Sequence, residues 1–554
     1  MFLRTCGFQR FTDFPQSRCL AITKSALHLY DPLLKTENPF HITPDESAPD
    51  AAAVLHFVQK GSFEVKPRTF AGVVLRRIES ASSQCDFYDT HVWSLWFGNA
   101  ILANENGWTL QSDDDLSRSP ETTGTPKFAE DFSEGPLRTQ LADLAHIRAL
   151  RRTASVHLQR ELFEAHDPSR RIVFRLSFCR IATTRSPKVR TTLLEILPVP
   201  GGKFDMRTVV EALKAAGCRP THENLVQEAY KLGRVRPSPY SLKLQLAFAP
   251  ETHARTVLLE IFSSLLSIAR WNEEGIIKDI DTEFLHDYRV SLRKLRSVTG
   301  QIKGVFPEDL TEAWKKQIGD LCRKTNVLRD YDVYLLSRVR LENMLPEELR
   351  GGLEPFFDAL RTEREIEATR VAEFLRSDAY KNQISAIQDA WASSHSIEPS
   401  PHAARPVLEV AGERILKRFR CIRKAARSLT DQTPDPFIHS IRIDCKKMRY
   451  LLECFGHLFP PDTVNPLASE LSKLQNRLGR YNDTSLQQDY LLQHAGRHLE
   501  SGDTHLALSL GGLIGSLHHE HAALRERLGA SLHNFSRGAN ARRAVSLAPK
   551  KEKE

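Results

Sequence analysis

The chain has 554 residues, 41% of them hydrophobic and 26% charged, with a formal net charge of +8. That composition is ordinary for a globular protein of about three or four domains and excludes a wholly disordered or fibrous chain. The cationic bias favours polyanionic partners without choosing one. Nine cysteines without a CxxC pair argue against a disulfide framework or a zinc site and for a reducing compartment. No run of 18 apolar residues occurs, so no membrane span is expected.

In chain order, residues 1–60 read as an N-terminal extension. Arg4, Arg10, Arg18 and Lys24 stand there against Asp13 alone, and no compact apolar segment follows to make a targeting peptide. Alternating runs at 62–66, 69–76, 108–110, 155–160, 171–178 and 192–197 predict strands, with a polar loop over 111–136 and a helix at 206–216. Arg234 to Pro239 reads as a linker. Beyond it the pattern becomes helical. Helices are predicted at 256–269, 312–338, 353–377, 407–429, 437–458 and 467–495. Residues 536–554 are basic and poor in apolar side chains, which predicts a disordered tail. The fold class is therefore α+β, with a β-rich N-terminal half followed by an all-α half.

The helical half contains a duplication. His286, Arg289, Arg293, Lys294 and Arg296 fall at offsets 0, 3, 7, 8 and 10, and His439, Arg442, Lys446, Lys447 and Arg449 repeat those offsets 153 residues later. At about 100° per residue, offsets 0, 3, 7 and 10 lie within roughly 80° of one another. Each copy is thus a helix with one cationic stripe, bordered by Lys294 or Lys447, and such a stripe repels itself unless an anion lies against it. Both copies run into Phe-Pro stops, Phe306-Pro307 and Phe459-Pro460, and Asp330 and Asp483 each lie 44 residues past their histidine. Matched landmarks at matched spacing indicate a repeated unit of about 150 residues.

These paired His-x-x-Arg-x-x-x-Arg/Lys-x-x-Arg helices, each followed by its Asp landmark, resemble the CHAD family over residues 240–535. The resemblance implies two pseudo-symmetric helical bundles, about 250–390 and 400–535, around a basic surface or pore. Its implied ligand is inorganic polyphosphate, and its implied setting is the cytoplasm, on polyphosphate granules with granule proteins or polyphosphate-metabolising enzymes as partners. Polyphosphate offers closely spaced charge and no base edges, so affinity must come from Arg and Lys contacts and counterion release. The ten stripe residues are the expected contacts, and Arg323, Lys324, Arg477 and Arg480 on the following helices are secondary candidates. His286 and His439 suit either direct anion contact or packing against the partner Asp. Asp330 and Asp483 suit positioning of Arg or His. No HxH or HxxxH pair marks a metal site. Specific nucleic-acid binding is disfavoured because the stripes lack interleaved aromatics.

Residues 61–236 resemble the CYTH, or triphosphate tunnel, family. The segment from Phe87 through Tyr88, Asp89 and Thr90 to Leu95 matches its YDT motif. That family forms an eight-stranded antiparallel tunnel, with an entrance Glu-x-Glu-x-Lys that helps hold a divalent metal. Here Ser62 replaces the first Glu, Glu64 and Lys66 remain, no Arg-x-Arg occurs over 101–106, and Glu195 stands alone. A metal-dependent phosphoryl site needs several carboxylates. The expectation is therefore a degenerate, non-catalytic tunnel needing no cofactor, with Mg²⁺ or Mn²⁺ required only under the alternative of an inorganic triphosphatase. Lys66, Arg76, Arg160 and Arg175 are either residual anion contacts or exposed strand charges.

Overall fold

The computed structural model describes residues 54–63, 70–112, 115–119, 122–199, 204–244, 246–394, 400–430, 432–499 and 503–548. One compact unit extends to Tyr240 and a second begins at Ser241, close to the 236–240 boundary read from the linker. Glu64 and Lys66, the expected extension up to residue 53 and the tail beyond 548 lie outside the described residues.

The N-terminal unit is built on one antiparallel sheet of nine strands, ordered β5-β4-β3-β2-β6-β7-β8-β1-β9. The strands are β1 (Leu55–Lys60), β2 (Val74–Thr90), β3 (Ala100–Asn104), β4 (Trp108–Ser112), β5 (Asp115–Ser119), β6 (Leu150–His166), β7 (Ile172–Thr183), β8 (Ser186–Pro198) and β9 (Arg219–Pro220). β1 thus lies inside the stretch read as extension, and β5 runs through the stretch read as loop. Ladder pairing ends at β5 and β9, with no hydrogen-bonded closure among the described residues. The expected tunnel is therefore supported only as far as an antiparallel sheet. Helix α1 (Ser94–Phe97) follows β2, and α2 (Pro136–Ala145), α3 (Met206–Ala215) and α4 (Leu225–Gly233) cover the sheet. Each of these three buries an apolar stripe: Leu137 and Leu141 beside Trp108, Val209 and Leu213 beside Phe174, Val226 and Ala229 beside Phe87. Asp89 of the YDT segment accepts backbone N–H bonds from Thr90, Leu95 and Trp96 at 2.6, 3.0 and 2.9 Å. It holds the α1 turn, and burial pushes its carboxyl up to about 6.

The second unit is all-helical. Its helices are α5 (Ala254–Trp271), α6 (Glu273–Ile277), α7 (Thr282–Gln301), α8 (Glu308–Arg323), α9 (Asn326–Leu336), α10 (Arg338–Glu342), α11 (Glu347–Arg350), α12 (Glu354–Arg376) and α13 (Asp378–Ser393) in the first repeat. The second repeat holds α14 (Val407–Ser428), α15 (Asp435–Phe455), α16 (Pro461–Leu499), α17 (Thr504–Phe535) and α18 (Gly538–Ser546). The starts of α5, α7 and α8 lie 153 positions before those of α14, α15 and α16. One core joins the repeats through Phe262, Tyr288, Leu292 and Trp314 of the first and Phe419, Cys445, Leu451 and Leu471 of the second.

Two departures from the sequence reading stand out. The helix predicted over 312–338 is broken at Lys324 and Thr325 into α8 and α9, whereas its counterpart α16 runs unbroken for 39 residues. Within the tail predicted as disordered, residues 538–546 instead form the helix α18, and Ala544 of α18 and the following Leu547 lie in the core. Gly412 of α14 makes this docking possible, because a Cβ there would collide with the Leu547 carbonyl.

Candidate anion-binding site

Helices α7 and α15 carry the cationic stripes, and each is fixed by its own apolar face. Tyr288, Leu292 and Leu295 bury one side of α7, and Ile441, Cys445 and Met448 bury one side of α15. Asp281 caps α7 by accepting from the Glu283 and Phe284 N–H groups at 3.0 and 3.3 Å. The two helices are joined directly. Gln301 Nε2 donates to the Lys447 carbonyl at 3.1 Å, and Lys294 Nζ reaches Glu453 at 2.7 Å. Arg418 of α14 braces both, donating to Gln301 at 2.8 Å and Asp444 at 3.1 Å.

This packing brings the stripes together. Arg293 of α7 lies in electrostatic reach of Arg442 and Lys446 of α15, and of Arg289 and Arg329 in its own repeat. Burial pushes the Lys446 ammonium well below its ordinary range, and repulsion from Arg442, Arg293 and Arg449 adds to the shift, with Asp483 opposing it. Burial also lowers Arg442, again with Arg293 adding and Asp483 opposing. Burial raises the Asp483 carboxyl, against the pull of Arg442 and Lys446. Asp483 lies 3.5 Å from Arg442 Nη2, an ion-pair distance too long for a good hydrogen bond. Both Asp483 oxygens, and Nε and Nη1 of Arg442, have no hydrogen-bond partner among the described residues. A buried guanidinium with free donors at Nε and Nη1, packed beside the Lys446 amine, is short of acceptors, and it suits an oxyanion.

Other predicted residues have different positions. Arg289 is not on an open surface: Nη1 donates to the Cys322 carbonyl at 2.8 Å and to Thr325 Oγ1 at 2.7 Å, and Nη2 donates to Asn326 Oδ1 at 2.8 Å. It fills the break between α8 and α9 and satisfies the groups the break leaves open. Burial, aided by Arg293, pushes its guanidinium down to about 10. Lys294 is buried against Glu453 rather than bordering an open stripe. Arg449 also pairs with Glu453, at 2.8 Å, and donates to Gln475 at 3.2 Å. Lys447 sits 3.8 Å from Asp444, and Arg296 is exposed beside Gly319 of α8. His286 is buried, and His439 Nδ1 lies 2.5 Å from Asn482 Oδ1. The packing partner of His439 on α16 is thus Asn482, the neighbour of the expected Asp. The secondary candidates all have local partners. Arg323 meets Asp320, Lys324 lies over the Phe374 ring at 5.8 Å, Arg477 donates to Ser531 at 2.6 Å and Arg480 meets Glu520 at 2.6 Å. Sequence reasoning missed Arg329, buried one residue before the Asp330 landmark. Its signal was only that the second repeat has the neutral Asn482 at that position.

Several charged side chains of the N-terminal sheet are paired with one another. Arg160 pairs with Glu105, Arg175 with Glu164 at 3.1 Å, and Glu161 is held by Arg77 at 2.9 Å and by Arg180. His56 lies 3.4 Å from Glu195, and Arg76 is exposed. No three His, Cys, Asp or Glu side chains converge as metal ligands among the described residues. A divalent cation would have to displace a guanidinium from Glu105, Glu161 or Glu164. No helix is long and apolar enough to cross a membrane among the described residues.

Residues 260–492 match the CHAD domain model, so the helical unit carries a CHAD domain. Among solved structures, the chain is similar to the CHAD domain from the plant Ricinus communis, at 22% identity over 53% of this chain and 96% of that one, with a TM-score of 0.45. It is also similar to PptA from Streptomyces chartreusis, at 20% identity over 50% of this chain and 99% of that one, with a TM-score of 0.37. No curated protein matches.

Proposed function

We propose that this chain, through its CHAD domain, binds inorganic polyphosphate at the cluster where α7 meets α15. The CHAD family is associated with polyphosphate binding. The observation that carries the reading is the convergence of Arg293, Arg442 and Lys446, two of them beside Asp483. Arginine forks suit phosphate oxygens, and a chain of phosphates supplies the negative charge the cluster lacks. We further assign the protein a granule-associated or phosphate-storage role, with the N-terminal sheet unit as a non-catalytic companion. The ion-paired sheet carboxylates disfavour a triphosphatase.

The test is titration of the full chain with labelled long-chain polyphosphate at about physiological ionic strength, with duplex DNA as competitor. The expected result is tight binding that DNA does not match and that Arg293→Gln, Arg442→Gln and Lys446→Gln together abolish. Equal competition by DNA, or unchanged affinity in the folded triple variant, refutes it. Fluorescent fusions should co-localise with polyphosphate bodies, and a diffuse distribution speaks against the granule role.

A further inference from the structure

Outside the central cluster, several lysines of the helical unit have a carboxylate beside them. Lys303 pairs with Glu308, Lys315 with Glu312, Lys381 with Asp378 and Lys473 with Glu470. Lys316, Lys324 and Lys417 have none among the described residues. The outer face of α14 gathers four such cations in one place. Arg420, Arg423, Lys424 and Arg427 fall at helical spacings of three and four, so they share one face. They line, with Ser428, an open recess of about 350 Å³. No carboxylate pairs with any of the four among the described residues. Like charges three and four apart destabilise a helix. The helix dipole rewards cations only in the last turn, which leaves Arg420 and Arg423 unexplained. The matching positions of the first repeat are Ser267, Arg270, Trp271 and Glu274, and Arg270 there has Glu273 at 3.6 Å. The cationic face therefore belongs to one repeat only and is not a by-product of the duplication.

We infer that this face of α14 is a second polyanion subsite, one that holds a further stretch of a linear phosphate chain. The inference rests on the polyphosphate reading for its ligand class, but not on the α7–α15 cluster. Charge complementarity selects the occupant. Seven residues of helix place the outermost cations about 10 Å apart, a run of positive charge suited to consecutive phosphates. The face has no aromatic side chain for base stacking, since Phe419 is buried in the core. It has no exposed large apolar residue with which to enter a lipid surface.

The test compares the full chain with a variant carrying Arg420→Gln, Arg423→Gln, Lys424→Gln and Arg427→Gln. Glutamine keeps the helix propensity, and circular dichroism verifies the fold. A charge-matched control carries Gln at Lys303, Lys315, Lys381 and Lys473. Long-chain polyphosphate binding is measured across a salt series, with tripolyphosphate as the short probe. Four lost phosphate contacts at about 0.7 each should flatten the log–log salt slope by about three. Long-chain affinity should fall at least about tenfold, with tripolyphosphate affinity and the control variant close to wild type. An unchanged slope overturns the subsite, as does an equal loss in the control or an equal loss of duplex DNA binding. An Arg293→Gln, Lys446→Gln variant separates the two sites. If it keeps long-chain binding while the α14 variant loses it, the central reading fails and the subsite stands. The reverse result removes the subsite alone, and no polyphosphate binding by wild type removes both.

Discussion

Replacing Asp483 by Asn tests whether the cluster is short of negative charge. Asp483 and Arg442 are 3% and 4% exposed and lie 3.5 Å apart. At an effective dielectric of about 20 their attraction is about 5 kcal/mol before desolvation. Removing one partner of such a buried pair costs about 3–5 kcal/mol, because the other charge is left uncompensated. Arg442, Arg293 and Lys446 would then repel one another without the opposing charge of Asp483. For a unit of this size the melting temperature should fall by roughly 5–10 °C, measured by calorimetry at neutral pH and low salt. The same change removes a negative charge from the binding surface, so polyphosphate should bind the variant more tightly. At about 100 times its Kd the ligand should return about 2.7 kcal/mol of stability. An unchanged melting temperature would refute the buried-pair argument, and weaker polyphosphate binding would refute the anion-site reading.

The remaining predictions concern neighbouring groups. The Lys446 ammonium is lowered on folding, so the native state holds fewer protons than the unfolded one between the folded and ordinary lysine values. Stability therefore rises with pH across that window and is reduced below it. A bound polyanion raises the lysine again, so binding should take up a proton and tighten as pH falls. Calorimetry in two buffers of different ionisation enthalpy detects this uptake, and Lys446→Gln should remove it. Arg289→Ala should destabilise the helical unit by about 3 kcal/mol, because the groups at the α8–α9 break lose their donor. Chemical denaturation measures it, and a change under about 1 kcal/mol would contradict the structural role. Gly412→Ala should force α18 from α14, seen as faster amide exchange over 538–548 with α7 and α15 unaffected.

The sequence by itself determined the duplication, the helical half and the two cationic stripes. These are local properties: a 3.6-residue period, Phe-Pro stops and a fixed 153-residue offset read the same in any tertiary setting. It also exposed the incomplete acidic set of the N-terminal half, because a missing residue type needs no structure to be seen. Only the tertiary structure decided which cations are available. Arg289 and Arg442 occupy the same position in the two repeats, yet one fills a helix break and the other lies beside Asp483. The difference arises across the helix–helix contact, where Thr325 and Asn326 face Arg289 while Leu478 and Gly479 hold the matching positions in α16. Lys294 is one residue, about 100°, from Arg293, and that rotation turns it to Glu453 while Arg293 meets Arg442 and Lys446. α18 was illegible for the same reason, since its few apolar residues gain a core only once Gly412 lets the Leu547 backbone approach. A stripe is written in the local pattern, but the partner of each charge is set by residues far away in the chain, brought close by burial of the apolar faces.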